Sequence, residues 1–169
     1  MTDPRPADDY FSTPQMDALA ERIGGVVVAW SRISWLLESL FAHLAGIEDD
    51  FVREVLVRKI RDGNLDQTCK DLAARLSTSD RDQVRHWLGS VGELRKERNR
   101  LLHSPMADFQ TADDPEWRAG RLAVRLDRQA GTAVYGGEEM TAADLDTFRK
   151  RVATVHLAFF SLPSNARPF

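Results

Sequence analysis

Apolar residues recur every three or four positions from residue 14 to residue 45: Leu19, Ile23, Val26, Val27, Trp30, Ile33, Leu37, Leu40, Phe41 and Leu44. That spacing predicts one long helix over 14–45, opened by Thr13 as N-cap with Pro14 in its first turn and closed at Gly46. Val28, Trp35 and Leu36 lie off the main stripe. A helix apolar on more than one side is buried on more than one side, so this segment reads as the centre of a bundle, with one flank left for self-association.

The same period continues with interruptions. Asp49 and Asp50 can cap a second helix over 50–61, with Phe51, Val55, Leu56 and Ile60 inward. Asp62-Gly63-Asn64 reads as a break. A third helix over 65–76 carries Cys69, Leu72, Ala73 and Leu76 on its apolar face. After the capping turn at 77–80, a fourth helix starts near Ser79 or Asp80 and runs to about His103. There Pro105 disfavours the helical conformation for Ser104. Four helices with short connections predict an antiparallel bundle.

Residues 106–119 are polar and read as a loop. From Arg121 the period changes to two, with Leu122, Val124 and Leu126 on one side, a turn at 128–131 and a return strand over 132–135. This predicts a small β-hairpin at about 120–135, with Gly131 at the positive-φ position. Thr141 then caps a last helix whose apolar face holds Leu145, Phe148, Val152, Val155, Leu157, Phe159 and Phe160, ended by Pro163. The expected organisation is a flexible tail at 1–12, a single mainly α domain at 13–163 and a short tail at 164–169.

Composition adds limits. With 43% hydrophobic and 29% charged residues among 169, the chain is that of an ordinary globule with a core. The most apolar stretch is interrupted by Arg32, Glu38 and His43, which argues against a membrane span, and the acidic N-terminus is unlike a signal peptide. One cysteine excludes an internal disulfide, and a cytoplasmic location is the expectation. His43, His86, His103 and His156 fall in no metal-ligand spacing, so neither a metal nor a cofactor is expected. The net charge of −3 is uneven: residues 1–94 hold 11 Lys and Arg against 16 Asp and Glu, residues 95–169 hold 12 against 10. The basic excess begins beside Arg98.

Arg98 is the residue whose placement calls for an explanation. At roughly 100° per residue, Val84, Trp87, Val91, Leu94, Leu101 and Leu102 fall within about 60° of it. A charge in the middle of an apolar stripe is costly unless paired or used. His103 lies five positions on, roughly 140° away on an ideal helix, whereas Asn99 and His103 share a face. Arginine and histidine therefore converge only if the arginine sweeps around, if the helix end reorients His103, or if a second copy faces the first. Chemically the pair is a minimal kit for RNA cleavage. A histidine moves the 2′-hydroxyl or leaving-group proton, and a guanidinium holds the phosphate.

Arg98-Asn99-Arg100-Leu101-Leu102-His103 resembles the Arg-x4-His motif of the HEPN superfamily, in its common form with a polar residue after the arginine. The long tryptophan-containing first helix, the motif at the end of a later helix and the helix that follows are similar as well. The resemblance implies a HEPN-like up-down bundle of four to five helices and a metal-independent endoribonuclease of a toxin–antitoxin or phage-defence system. It further implies a homodimer with its active site near the interface, and an antitoxin or nucleotidyltransferase partner. Arg98 and His103 are then the catalytic candidates, with Asn99 auxiliary. Pro105 stands where one toxin subgroup has tyrosine, so regulation through that tyrosine is not implied.

The alternative keeps the fold and drops the chemistry: a dimeric regulatory or binding module in which Arg98 and His103 are structural. Around the motif, Arg95, Arg100 and Ser104 are candidate RNA contacts, while Lys96, Glu97 and Arg100 also read as a solvated face. Trp30, Trp35 and Trp87 are assigned to the core. Trp117 is placed to stack a base or to cover a core edge.

Overall fold

A computed structural model describes residues 14–60, 62–102, 106–108, 118–127 and 132–168, with the backbone alone described at 14–19, 62–63, 102, 106–108, 118–127, 132–140 and 142. The order of elements is α1 (Pro14–Ala45), α2 (Asp50–Lys59), α3 (Asp62–Leu72), α4 (Thr78–Leu102), β1 (Met106–Asp108), β2 (Arg118–Asp127), β3 (Thr132–Thr141) and α5 (Ala142–Phe159). The structure is mainly helical. The expected tail at 1–12, the cap at Thr13, the turn at 128–131 and Trp117 lie outside the described residues.

The chain divides into two compact units, Val28–Glu97 with Lys150–Phe169, and Met1–Val27 with Arg98–Arg149. The first of these is a helical bundle. Ile33, Leu36, Leu37, Leu40 and Phe41 of α1 are buried, as are Leu65 and Cys69 of α3. So are Val84, Trp87, Leu88, Val91 and Leu94 of α4, and Val152 and Phe159 of α5. Trp87 stacks edge-on against Phe159 at 5.1 Å, and its indole N–H donates to Val155 O at 2.9 Å. The polar tip of this large side chain is thus satisfied inside the core.

Helix ends follow local chemistry. Gly46 adopts φ 69° after α1, the Gly46 N–H reaches His43 O and the Ile47 N–H reaches Ala42 O. The second bond closes a Schellman end, which needs a left-handed residue at that site. Asp49 Oδ1 accepts from the Val52 N–H at 2.9 Å and starts α2. Ser77 Oγ accepts from the Asp80 N–H at 3.3 Å, so α4 begins one residue earlier than the sequence predicted.

Several expectations are corrected. Asp62-Gly63-Asn64 is no break: these residues form the first turn of α3, and the chain turns at Ile60, which is extended at φ −84°, ψ 96°. Residues that break a helix interior suit its N-terminus. Trp35 is 52% exposed rather than core, Phe51 is 73% exposed, and Leu157 is 66% exposed on the helix assigned a single apolar face. Residues expected as a tail are docked. Ser164–Ala166 form a 3-10 turn, Ala166 is fully buried, and Asn165 donates to Asp80 Oδ2 at 2.8 Å while its carbonyl meets His43 Nε2 at 3.1 Å.

In the other unit β1, β2 and β3 form one sheet in that order, antiparallel throughout. β2 pairs β3 over ten positions, from Arg118↔Thr141 to Asp127↔Thr132, and Met106–Asp108 pairs with Ala119–Arg121. A small hairpin was expected. The sheet is longer, and part of the presumed loop 106–119 belongs to it. Glycines and glutamates of low strand propensity are carried by the ladder here. At its end Thr141 and Asp144 cap α5 reciprocally: the Thr141 N–H donates to Asp144 Oδ2 at 2.7 Å, and the Asp144 N–H donates to Thr141 Oγ1 at 3.2 Å. These bonds hold the Asp144 carboxyl below the usual carboxylate range. Val26, Leu101, Leu145 and Phe148 are the unit's buried apolar side chains among the described residues.

Candidate functional site

The residues predicted on the stripe of Arg98 are buried: Val84, Trp87, Val91, Leu94 and Leu101. Arg98 itself is half-buried in the last turns of α4. Its Nη1 donates to Asn99 Oδ1 at 2.8 Å, so the polar residue after the arginine steers the guanidinium. Asn99 and Arg100 are exposed. α4 ends at Leu102, one residue before His103; His103 and Ser104 lie outside the described residues. Arg98 and Asn99 are therefore brought together, while the geometry of the arginine toward the histidine is not part of the description.

The charges just before Arg98 divide in a way the sequence did not reveal. Arg95, a candidate RNA contact, is held by the buried Asp66 of α3, with Nη2 3.0 Å from Oδ2. Lys70 Nζ stands 3.8 Å from the same oxygen. Arg95 fastens α4 to α3 through this buried carboxylate, which Lys70 shares from within α3, and removing either charge class leaves the other poorly solvated. Glu97 was assigned to a solvated face. It is half-buried and pairs with Arg151 of α5. Lys96 is exposed and pairs with Glu93 at 2.8 Å, as a solvated i,i+3 pair should.

The ionisable neighbours follow from the packing. Burial first, and the Asp66 charge second, push the Cys69 thiol up to about 12. That thiol is inert at neutral pH, and it packs 4.0 Å from Leu37 O. Among the described residues no group of three or more His, Cys, Asp or Glu is placed to hold a metal ion. Ala20–Ala45 is the one described helix long and apolar enough to cross a membrane by length and composition, and half of its most apolar window is buried.

Compared with family models, with curated proteins and with solved structures, the chain has no match.

Proposed function

We propose that the chain is a metal-independent endoribonuclease of HEPN type, cytoplasmic, acting as a homodimer within a toxin–antitoxin or phage-defence system. The observation that carries the reading is the state of Arg98: half-buried on a stripe of buried residues, its guanidinium steered by Asn99, in the helix turn that precedes His103. In this reading the guanidinium binds a phosphodiester. His103 takes the proton of the ribose 2′-hydroxyl, the 2′-oxygen attacks phosphorus, and the bond to the 5′-oxygen breaks as that oxygen is protonated. The products are a 2′,3′-cyclic phosphate and a 5′-hydroxyl, with no metal and no redox step. Charge accumulating on the phosphoryl oxygens is what the arginine stabilises.

A second reading has its own support. Arg95 and Glu97, on either side of Lys96, are both engaged in ion pairs inside the fold. The same habit extended to Arg98 and His103 makes a non-catalytic dimeric module.

Incubating the protein with total RNA in EDTA separates the two. Under the enzyme reading, Arg98→Ala and His103→Ala, each still folded, lower cleavage by roughly 10²- to 10⁴-fold. Absence of cleavage by the native protein, with a large stability loss in Arg98→Ala, favours the module.

A further inference from the structure

Among the described helices α2 alone has no buried residue. Half of its ten residues are large and apolar all the same: Phe51, Val52, Val55, Leu56 and Val57. A short helix is stabilised by covering such side chains, so one that leaves them in water marks a contact surface. At roughly 100° per residue, Leu56, Val57 and Ile60 fall on one side, which is half-buried. Phe51 and Val52 fall on the other and are exposed, with half-buried Val55 between them.

Charge selects what covers this side. Asp50, Glu54 and Arg58 stand four apart and form one row along its edge, with the acids toward the N-terminal end and the base toward the C-terminal end. A second α2 laid parallel sets like charge against like at every position of the row. Laid antiparallel about a two-fold axis near Glu54, it sets Asp50 against Arg58 at both ends and opposes the two helix dipoles. Glu54 then meets its own copy on the axis, where the Arg58 guanidinium that pairs with it in each chain offsets the repulsion. A guanidinium has donors enough for both carboxylates. The ion pairs made along α2, Arg58 with Glu54 and Arg53 with Asp50, are exposed and re-partner at little cost. A groove of about 590 Å³ opens between Glu38 of α1 and this row, which keeps the row accessible along its length.

We propose that the exposed face of α2 is a self-association surface, on which a second copy of this chain seats its own α2 antiparallel. Phe51, Val55 and Val52 form the apolar seam, and the pairs of Asp50 with Arg58 at its two ends fix register and direction. The inference rests on the homodimer reading for the second copy and adds where the copies meet; it asks nothing of RNA cleavage.

The test weighs the full-length protein and its Asp50→Arg and Arg58→Glu variants by light scattering at micromolar concentration, each variant alone and the two mixed in equal amounts. Thermal melting checks that each stays folded. The native protein is expected to be a dimer. Each charge reversal puts like charges at both ends of the seam and weakens dimerisation by about tenfold to hundredfold. In the mixture, the Asp50→Arg chain and the Arg58→Glu chain meet with opposite charges at both ends, and the dimer returns. A loss of helix stability in either variant cannot produce that rescue. Phe51→Ser, at an exposed position, weakens the dimer by about tenfold with no change of charge. A dimer that survives both reversals and Phe51→Ser leaves the homodimer reading standing and overturns this seam. A mixture no more dimeric than its components overturns the antiparallel pairing. A monomeric native protein overturns both readings, and the face then belongs to a different partner.

Discussion

At the scale of single residues, the tightest constraint is the carboxylate of Asp66. It is 6% exposed, one oxygen is shared by Arg95 and Lys70, and the other has no hydrogen-bond partner among the described residues. Arg95→Ala is expected to cost about 2–4 kcal/mol in urea denaturation, because a buried charge loses its close partner. The double variant Asp66→Leu, Arg95→Met should recover most of that loss. Cys69 gives a second test. Its raised pKa and full burial predict that a thiol-specific disulfide reagent at pH 8 leaves it unlabelled in the native protein and modifies it once the chain is unfolded. Native labelling within seconds would contradict the burial. The burial of Cys69 was legible from its place on the apolar face of α3, but the pairing of Asp66 with Arg95 was not. Arg95 looked like a surface cation because its partner lies 29 positions away, and no local pattern announces such a pair. Glu97, whose partner Arg151 is 54 positions off, was misassigned for the same reason.

At the scale of elements, what local chemistry dictates was readable, and what tertiary packing dictates was not. The limits of α1 follow from Pro14 and from Gly46, and the start of α5 follows from Thr141. Thr141→Ala is expected to cost about 1 kcal/mol, measured as a fall in melting temperature. Gly46→Ala should cost about the same, since an L side chain at φ 69° is strained. The caps also set a direction for pH. Asp144 is lowered by the Thr141 hydrogen bonds, and Asp80 by the Asn165 and Ser77 hydrogen bonds. Each binds its proton more weakly folded than unfolded. Their contribution is therefore complete above the ordinary carboxylate range near pH ~4 and is lost as pH falls through the lower folded values. Melting temperature should hold from pH 7 to about 5 and fall below about 4, and Asp144→Ala should blunt part of that fall. Periodicity failed where a helix is apolar on two sides: it could not tell that Leu36 is covered while Trp35 is not. It also failed in the sheet, where β3 runs through Gly136, Gly137, Glu138 and Glu139, residues that hold no strand on their own.

At the scale of the whole molecule, the Arg98 stretch was legible as an anomaly. A guanidinium on an apolar stripe is visible from spacing alone, and its half-buried state and its bond to Asn99 bear that anomaly out. What spacing leaves open is the second member of the pair, because roughly 140° of helix separates Arg98 from His103. The proposed two-chain site would resolve the mismatch, and it is exposed to a direct measurement. Light scattering at micromolar concentration is expected to give twice the mass of the chain, and a monomer would remove the two-chain site. Val28 and Trp35 on α1 are among the exposed apolar side chains available for such an association.

The division of the chain into interleaved units carries a consequence for the order of events during synthesis. The bundle that begins at Val28 is left open at Glu97, and its missing pieces, Val152, Phe159, Leu162 and Ala166, arrive only after fifty-odd residues of the other unit have been made. Closure of so long an intervening segment precedes the reward of burial, which slows the final step. A nascent chain that has reached only Arg149 exposes the apolar face of α4 that Trp87 and its neighbours would otherwise share with α5. Such an intermediate is the natural client of a chaperone, and a chain stopped there should lack a cooperative thermal transition.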